Sequence, residues 1–129
     1  MTTCDAPVGS LQWAEPISVG DEMTLRAVAT LLNRYAIGAA VVRHGDDPGM
    51  VSERDIVGAL AAGGDPDELW SADVMTPRLV TVSPDTSVIE SGQRMLEAGV
   101  RHLAIVDGDE IVGVLSMRDL FALLVEALE

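Results

Sequence analysis

One stretch of this chain is written twice. Ile17–Ser18–Val19 and Val80–Thr81–Val82 each precede an amphipathic helical pattern, an apolar run and a closing phrase. The closing phrases read Gly49-Met-Val-Ser52-Glu-Arg54-Asp55-Ile56 and Gly113-Val-Leu-Ser116-Met-Arg118-Asp119-Leu120. Equivalent residues lie about 63 positions apart early in the unit and about 64 late, so one loop residue separates the copies. A duplication of this length predicts one pseudo-two-fold object, with the seam between its halves as the place for a ligand.

Period and punctuation divide each copy into elements. Ile17–Val19 reads as a short strand. Leu25, Val28, Ala29 and Leu32 then follow the i, i+3, i+4, i+7 spacing of a one-faced helix. Ile37–Val42 is too short for a helix and reads as a buried strand. Asp46-Asp-Pro-Gly49 is a turn, Met50–Val51 a strand, and Glu53 to Ala62 a helix that Gly63-Gly64 ends. The second copy repeats the order. Val80–Val82 is a strand, Ser87–Ala98 a helix with Val88, Met95 and Leu96 on one face, and Leu103–Val106 and Ile111–Leu115 are strands. A helix from Met117 to Leu128 closes the chain. Ser87-x-x-Glu90 has the spacing of a capping box. The expected fold is therefore α/β (α+β), two tandem β-α-β-β-α repeats with small sheets covered by helices. The repeats are assigned to 10–64 and 74–128, joined by a connector at 65–73 with a helical turn around Asp67–Trp70.

At 129 residues, each half alone would struggle to exclude water, so the repeats are expected to share one compact module. Aromatic residues make up only 3% of the chain, which leaves the core to Val, Leu, Ile, Ala and Met. Met23, Met50, Met75, Met95 and Met117 read as core filler, and Leu11 and Trp13 as lead-in residues packed on the body.

Charge excludes several functions. Eight arginines and no lysine face 21 acidic residues, for a formal net charge of −13. Such a field repels nucleic acid and anionic membranes, so neither is an expected partner. No basic start followed by an apolar segment marks a secretory leader, and no apolar stretch approaches the ~20 residues of a spanning helix. With Cys4 as the single cysteine, no intrachain disulfide forms. The expected location is cytoplasmic.

Four strings point to a family: Ala72-Asp-Val-Met-Thr76, Val80-Thr-Val-Ser-Pro-Asp-Thr-Ser-Val88, Gly99-Val-Arg-His-Leu103, and Val112-Gly-Val-Leu-Ser-Met-Arg-Asp-Leu120. They resemble a cystathionine-β-synthase-type (CBS) domain. The first half, through Ile37-Gly38-Ala39 and Val51-Ser-Glu-Arg-Asp-Ile56, resembles a more divergent copy. Together they resemble a tandem pair, or Bateman module, over roughly 10–128. The resemblance implies a regulatory binding module for adenosine-containing ligands (AMP, ADP, ATP or S-adenosylmethionine) in clefts between the repeats. It also implies a homodimer, a possible regulated protein partner and no covalent chemistry.

Carried onto this chain, the resemblance gives Asp119 and Asp55 to the ribose hydroxyls and Ser116 and Ser52 to phosphate. Thr81 and Ser18, on the first strands, meet adenine or phosphate, and Arg101 with His102 neutralises phosphate. Local pattern supplies a second reading for each. Ser-x-x-Asp at a strand-to-helix junction is itself a capping box, and duplication copies a cap as faithfully as a site. Arg101-His102 also reads as a solvated pair balancing an acidic surface, and Thr81 as an ordinary strand residue. The first copy carries Gly38-Ala39 where the second carries Arg101-His102, which predicts two unequal clefts. No required cofactor, metal site or enzymatic nucleophile is evident: two histidines and one cysteine at scattered positions form no zinc set. The alternative is an interaction module with degenerate clefts.

Overall fold

The computed structural model of the protein describes residues 5–11 and 15–128; Cys4 and Trp13 lie outside them. Among the described residues, β1 (Ser18–Gly20), α1 (Leu25–Tyr35), β2 (Ala39–Arg43), β3 (Gly49–Ser52) and α2 (Glu53–Ala61) form the first copy. A short α3 (Ser71–Val74) follows. The second copy is β4 (Thr81–Val82), α4 (Val88–Ala98), β5 (His102–Asp107), β6 (Glu110–Ser116) and α5 (Met117–Ala127). The result is a mixed α+β fold with two three-stranded sheets, ordered β1-β2-β3 and β4-β5-β6.

Connection length decides strand direction. A helix separates the first two strands of each sheet, and these run parallel; a tight acidic turn joins the last two, and these run antiparallel. Gly108 turns the second hairpin with φ +63. Thr24 caps α1, its Oγ1 accepting from the Ala27 amide at 3.3 Å, and Ser87 caps α4 by accepting from the Glu90 amide at 3.1 Å. Only half of the capping box expected at Ser87 forms. The Glu90 carboxylate instead accepts from Arg94 one turn further on, at 3.1 Å.

Each sheet has its own aliphatic core. Val19, Val28, Leu32, Ala40, Val42, Val51 and Ile56 cluster in one. Val8, Val82, Val88, Met95, Leu103, Ile105, Leu115 and Leu120 cluster in the other. Two sequence expectations need correction. Leu96 is 75% exposed, because the buried stripe of α4 passes through Val88, Ser91 and Met95, and Leu96 lies a further 100° round the helix. Ser91 tolerates burial by donating its hydroxyl to the Ser87 carbonyl at 3.0 Å. Met117 opens α5 on the surface, whereas Met50 and Met95 are buried and Met23 and Met75 pack against a core.

The chain divides into two compact units, and these cut across the segments 10–64, 65–73 and 74–128. Ile17–Leu79 is one; Val80 onward joins residues up to Pro16 in the other. The cause is a lead-in segment of the same design in each. Before the second copy, Trp70 bridges Thr24, Leu69 accepts from the Leu25 amide at 3.0 Å, and the Ser71 amide donates to Met23 at 2.8 Å. Before the first, Pro7 bridges Ser87, Ala6 accepts from the Val88 amide at 2.9 Å, and the Val8 amide donates to Thr86 at 2.7 Å. The bonds match one for one across the repeat. The helical turn expected near Asp67–Trp70 forms at 66–68, where the Leu69 amide donates to the Asp65 carbonyl at 3.0 Å. α3 follows it, its buried Ser71 donating its hydroxyl to the Gly20 carbonyl at 2.6 Å.

An ion pair fastens the connector to α1. Arg26 Nε donates to Asp67 Oδ1 at 2.6 Å and Nη2 to Oδ2 at 3.1 Å. The hydrogen bond from Arg26 holds the Asp67 carboxyl below its ordinary range, and the same bond holds the guanidinium above its own. Both groups are well exposed, so screening by water keeps the contribution small.

Candidate functional site

The third strand of each copy ends in a serine that also begins the next helix. Ser52 Oγ accepts from the Asp55 amide at 3.2 Å, while Asp55 Oδ2 accepts from the Ser52 amide at 2.8 Å and from its hydroxyl at 2.9 Å. Ser116 Oγ accepts from the Asp119 amide at 3.0 Å, and Asp119 Oδ2 from the Ser116 amide at 2.9 Å. Both phrases are thus complete capping boxes. They differ in one respect. The Ser52 hydroxyl proton is given to Asp55, and the half-buried Asp55 is satisfied twice; Asp119 is exposed and receives only the backbone bond.

Sheet register brings four of the expected residues to one corner. His102 faces Ser116 directly in the β5–β6 ladder, and the Arg101 carbonyl accepts from the Met117 amide at 2.8 Å. Arg101, His102, Ser116 and Asp119 therefore share one strand-to-helix junction. The corresponding junction of the first copy has Ala39 facing Ser52 and the Gly38 carbonyl accepting from the Glu53 amide at 2.9 Å. It has the same backbone, with uncharged Gly38 and Ala39 where the second copy has Arg101 and His102. Thr81 lies apart from the corner on β4, paired with Ala104, and Ser18 lies on β1, paired with Val41. Both are exposed. Ser18, Ser52 and Asp55 belong to the unit Ile17–Leu79, and the other five candidates to the second unit.

One residue near these positions is absent from the sequence reading. Arg94 on α4 donates through Nη1 to the Thr81 carbonyl at 2.7 Å. The available signal was the Glu90–Arg94 spacing of one helical turn; assigning Glu90 to the cap hid it. Among the described residues, no cluster of three or more His, Cys, Asp or Glu is placed to hold a metal ion. No described helix is long and apolar enough to cross a membrane.

Each copy is a three-stranded sheet whose last strand delivers a Ser-x-x-Asp phrase into a helix, so the chain has a tandem-repeat architecture. The CBS domain model matches residues 8–62 and 71–126, and the chain belongs to the CBS domain family. Among curated proteins it is similar to MK0525 of Methanopyrus kandleri, at 32% identity over 88% of this chain and 60% of that protein. It is also similar to the CBS domain-containing protein YhcV of Bacillus subtilis, at 32% identity over 80% of this chain and 74% of that one. Among solved structures, the CBS domain protein PAE2072 from Pyrobaculum aerophilum, complexed with AMP, superposes with a TM-score of 0.80. It is 33% identical and covers 95% of this chain and 98% of its own.

Proposed function

We propose that this chain is a regulatory module that binds an adenosine-containing nucleotide (AMP, ADP, ATP or S-adenosylmethionine) at its strand-to-helix corners. The observation that carries the reading is the gathering of Arg101, His102, Ser116 and Asp119 at one junction. The AMP carried by a relative of 33% identity supports it. The capping bonds of Asp119 fall on Oδ2, so Oδ1 is the atom that accepts ribose hydroxyls, and charged acceptors make the stronger hydrogen bonds. Ser116 and the N-terminus of α5 face phosphate, with Arg101 and His102 supplying positive charge. Asp55, Ser52 and Ser18 offer the first copy a weaker version with no cation at Gly38-Ala39, and Thr81 contributes its exposed hydroxyl in the second. Binding favours one arrangement of the module over another, and a partner protein or second copy reads the difference.

The module is proposed to act as a homodimer. Phe121 (66% exposed), Leu124 and Val125 on α5, with Leu128 (89% exposed) just past its end, form an outward i, i+3, i+4, i+7 stripe, while the inward side of α5 already packs through Leu120 and Leu123. A helix apolar on both sides is built to be covered twice.

One observation favours a second reading, that of an interaction module with empty clefts: both aspartates already serve as caps. Isothermal titration with AMP, ATP, NAD and S-adenosylmethionine separates the two. Saturable binding is expected, and Asp119→Asn, which keeps an acceptor at the cap, weakens it far more than Ser18→Ala. Silence with all four ligands leaves the interaction module. Arg101→Ala weakens binding of a phosphorylated ligand and is nearly neutral for the cationic S-adenosylmethionine.

A further inference from the structure

We infer that Arg94 makes the exposed edge of β4 select for phosphorylated over unphosphorylated nucleosides. It removes a backbone acceptor there and puts a cation in its place. The inference rests on the nucleotide-binding reading and adds a selectivity to it.

β4 is an edge strand of its sheet. The Ala104 amide donates to the Val80 carbonyl at 3.0 Å, so strand alternation turns the next carbonyl, that of Thr81, toward the open side. Arg94 meets it there. Nη1 donates to this carbonyl at 2.7 Å and Nη2 to Glu90 Oε2 at 3.1 Å, with the Arg94 side chain 41% exposed. The guanidinium is held at two points and still faces solvent. Glu90 tempers its charge without burying it.

An unoccupied edge carbonyl invites donors, such as the amino group of a nucleobase. An occupied one does not, because a donor must first displace a charge-assisted bond. The N–H groups Arg94 has left are donors only, and they suit planar, acceptor-rich anions, phosphate above all. The first copy has the opposite chemistry. The Val41 amide donates to the Ile17 carbonyl at 2.9 Å, so the Ser18 carbonyl faces outward in the same way. Leu31, packed against the core, occupies the position equivalent to Arg94 and has nothing to donate. The β1 edge therefore presents an acceptor, and the β4 edge a donor with positive charge.

Isothermal titration of adenosine and AMP into the wild type, Arg94→Gln and Arg94→Leu tests this. Gln keeps an N–H for the Thr81 carbonyl without the charge, and Leu copies the first strand. The wild type is expected to prefer AMP, and that preference falls about tenfold in both variants, the loss of one charge-assisted contact. Adenosine binding holds or improves in Arg94→Leu, and Arg94→Gln melts within a few degrees of the wild type. Should Arg94→Leu not fold, Arg94→Gln decides alone. A folded Arg94→Gln with unchanged AMP preference, or with equal loss of both ligands, reduces Arg94 to a strand clamp and overturns the inference. A wild type that binds both ligands alike overturns it too, leaving nucleotide binding intact; a wild type that binds neither removes both.

Discussion

Ala36 and Gly99 hold equivalent positions, one after each long helix of a repeat, and both adopt left-handed backbone, with φ +52 and +67. Glycine does so freely, whereas an alanine Cβ crowds the following carbonyl. Ala36→Gly is therefore expected to stabilise the protein by about 1 kcal/mol, which a thermal denaturation midpoint reports directly. Gly99→Ala should lower the midpoint by a similar amount. Single residues were legible where the chemistry is local. Ser52 and Asp55, like Ser116 and Asp119, formed the cap their spacing prescribes. Arg94 was not legible, because its acceptor is a main-chain carbonyl on another element and no side-chain pattern encodes that meeting.

At the scale of elements, hydrophobic period and turn residues were enough to place the strands and long helices in order. Faces were less secure. A heptad-like run leaves the edge of its stripe undefined, and so Leu96 was read inward when Ser91 takes the buried place. Long-range pairing of the lead-ins was also invisible, since Ala6–Gly9 carries no strand alternation. Its consequence is concrete. Val8 is fully buried in the core of β4–β6, so Val8→Ala should cost about 2 kcal/mol, chiefly in the second unit. Hydrogen exchange resolves this: amides of β5 and β6 should lose protection in the variant while those of β2 and β3 keep it. Equal loss in both sheets would show the cost to be global.

For the whole molecule, the acidic balance and the apolar outer stripe of α5 pull in different directions. A net charge of −13 resists association, but the stripe gains from it. Light scattering is expected to give twice the 13.6 kDa chain mass for the wild type at micromolar concentration. Phe121→Glu with Leu124→Glu should return it to a single chain; a wild type that is already single ends the dimer proposal. The exchanged lead-ins also set an order of assembly during synthesis. Ile17–Leu79 is continuous in sequence, so that unit is expected to fold before Val80 onward leaves the ribosome. Residues 6–9, made earlier, must wait for Pro84–Val88, so the unit that holds Arg101, His102 and Asp119 is expected to close after Ile17–Leu79.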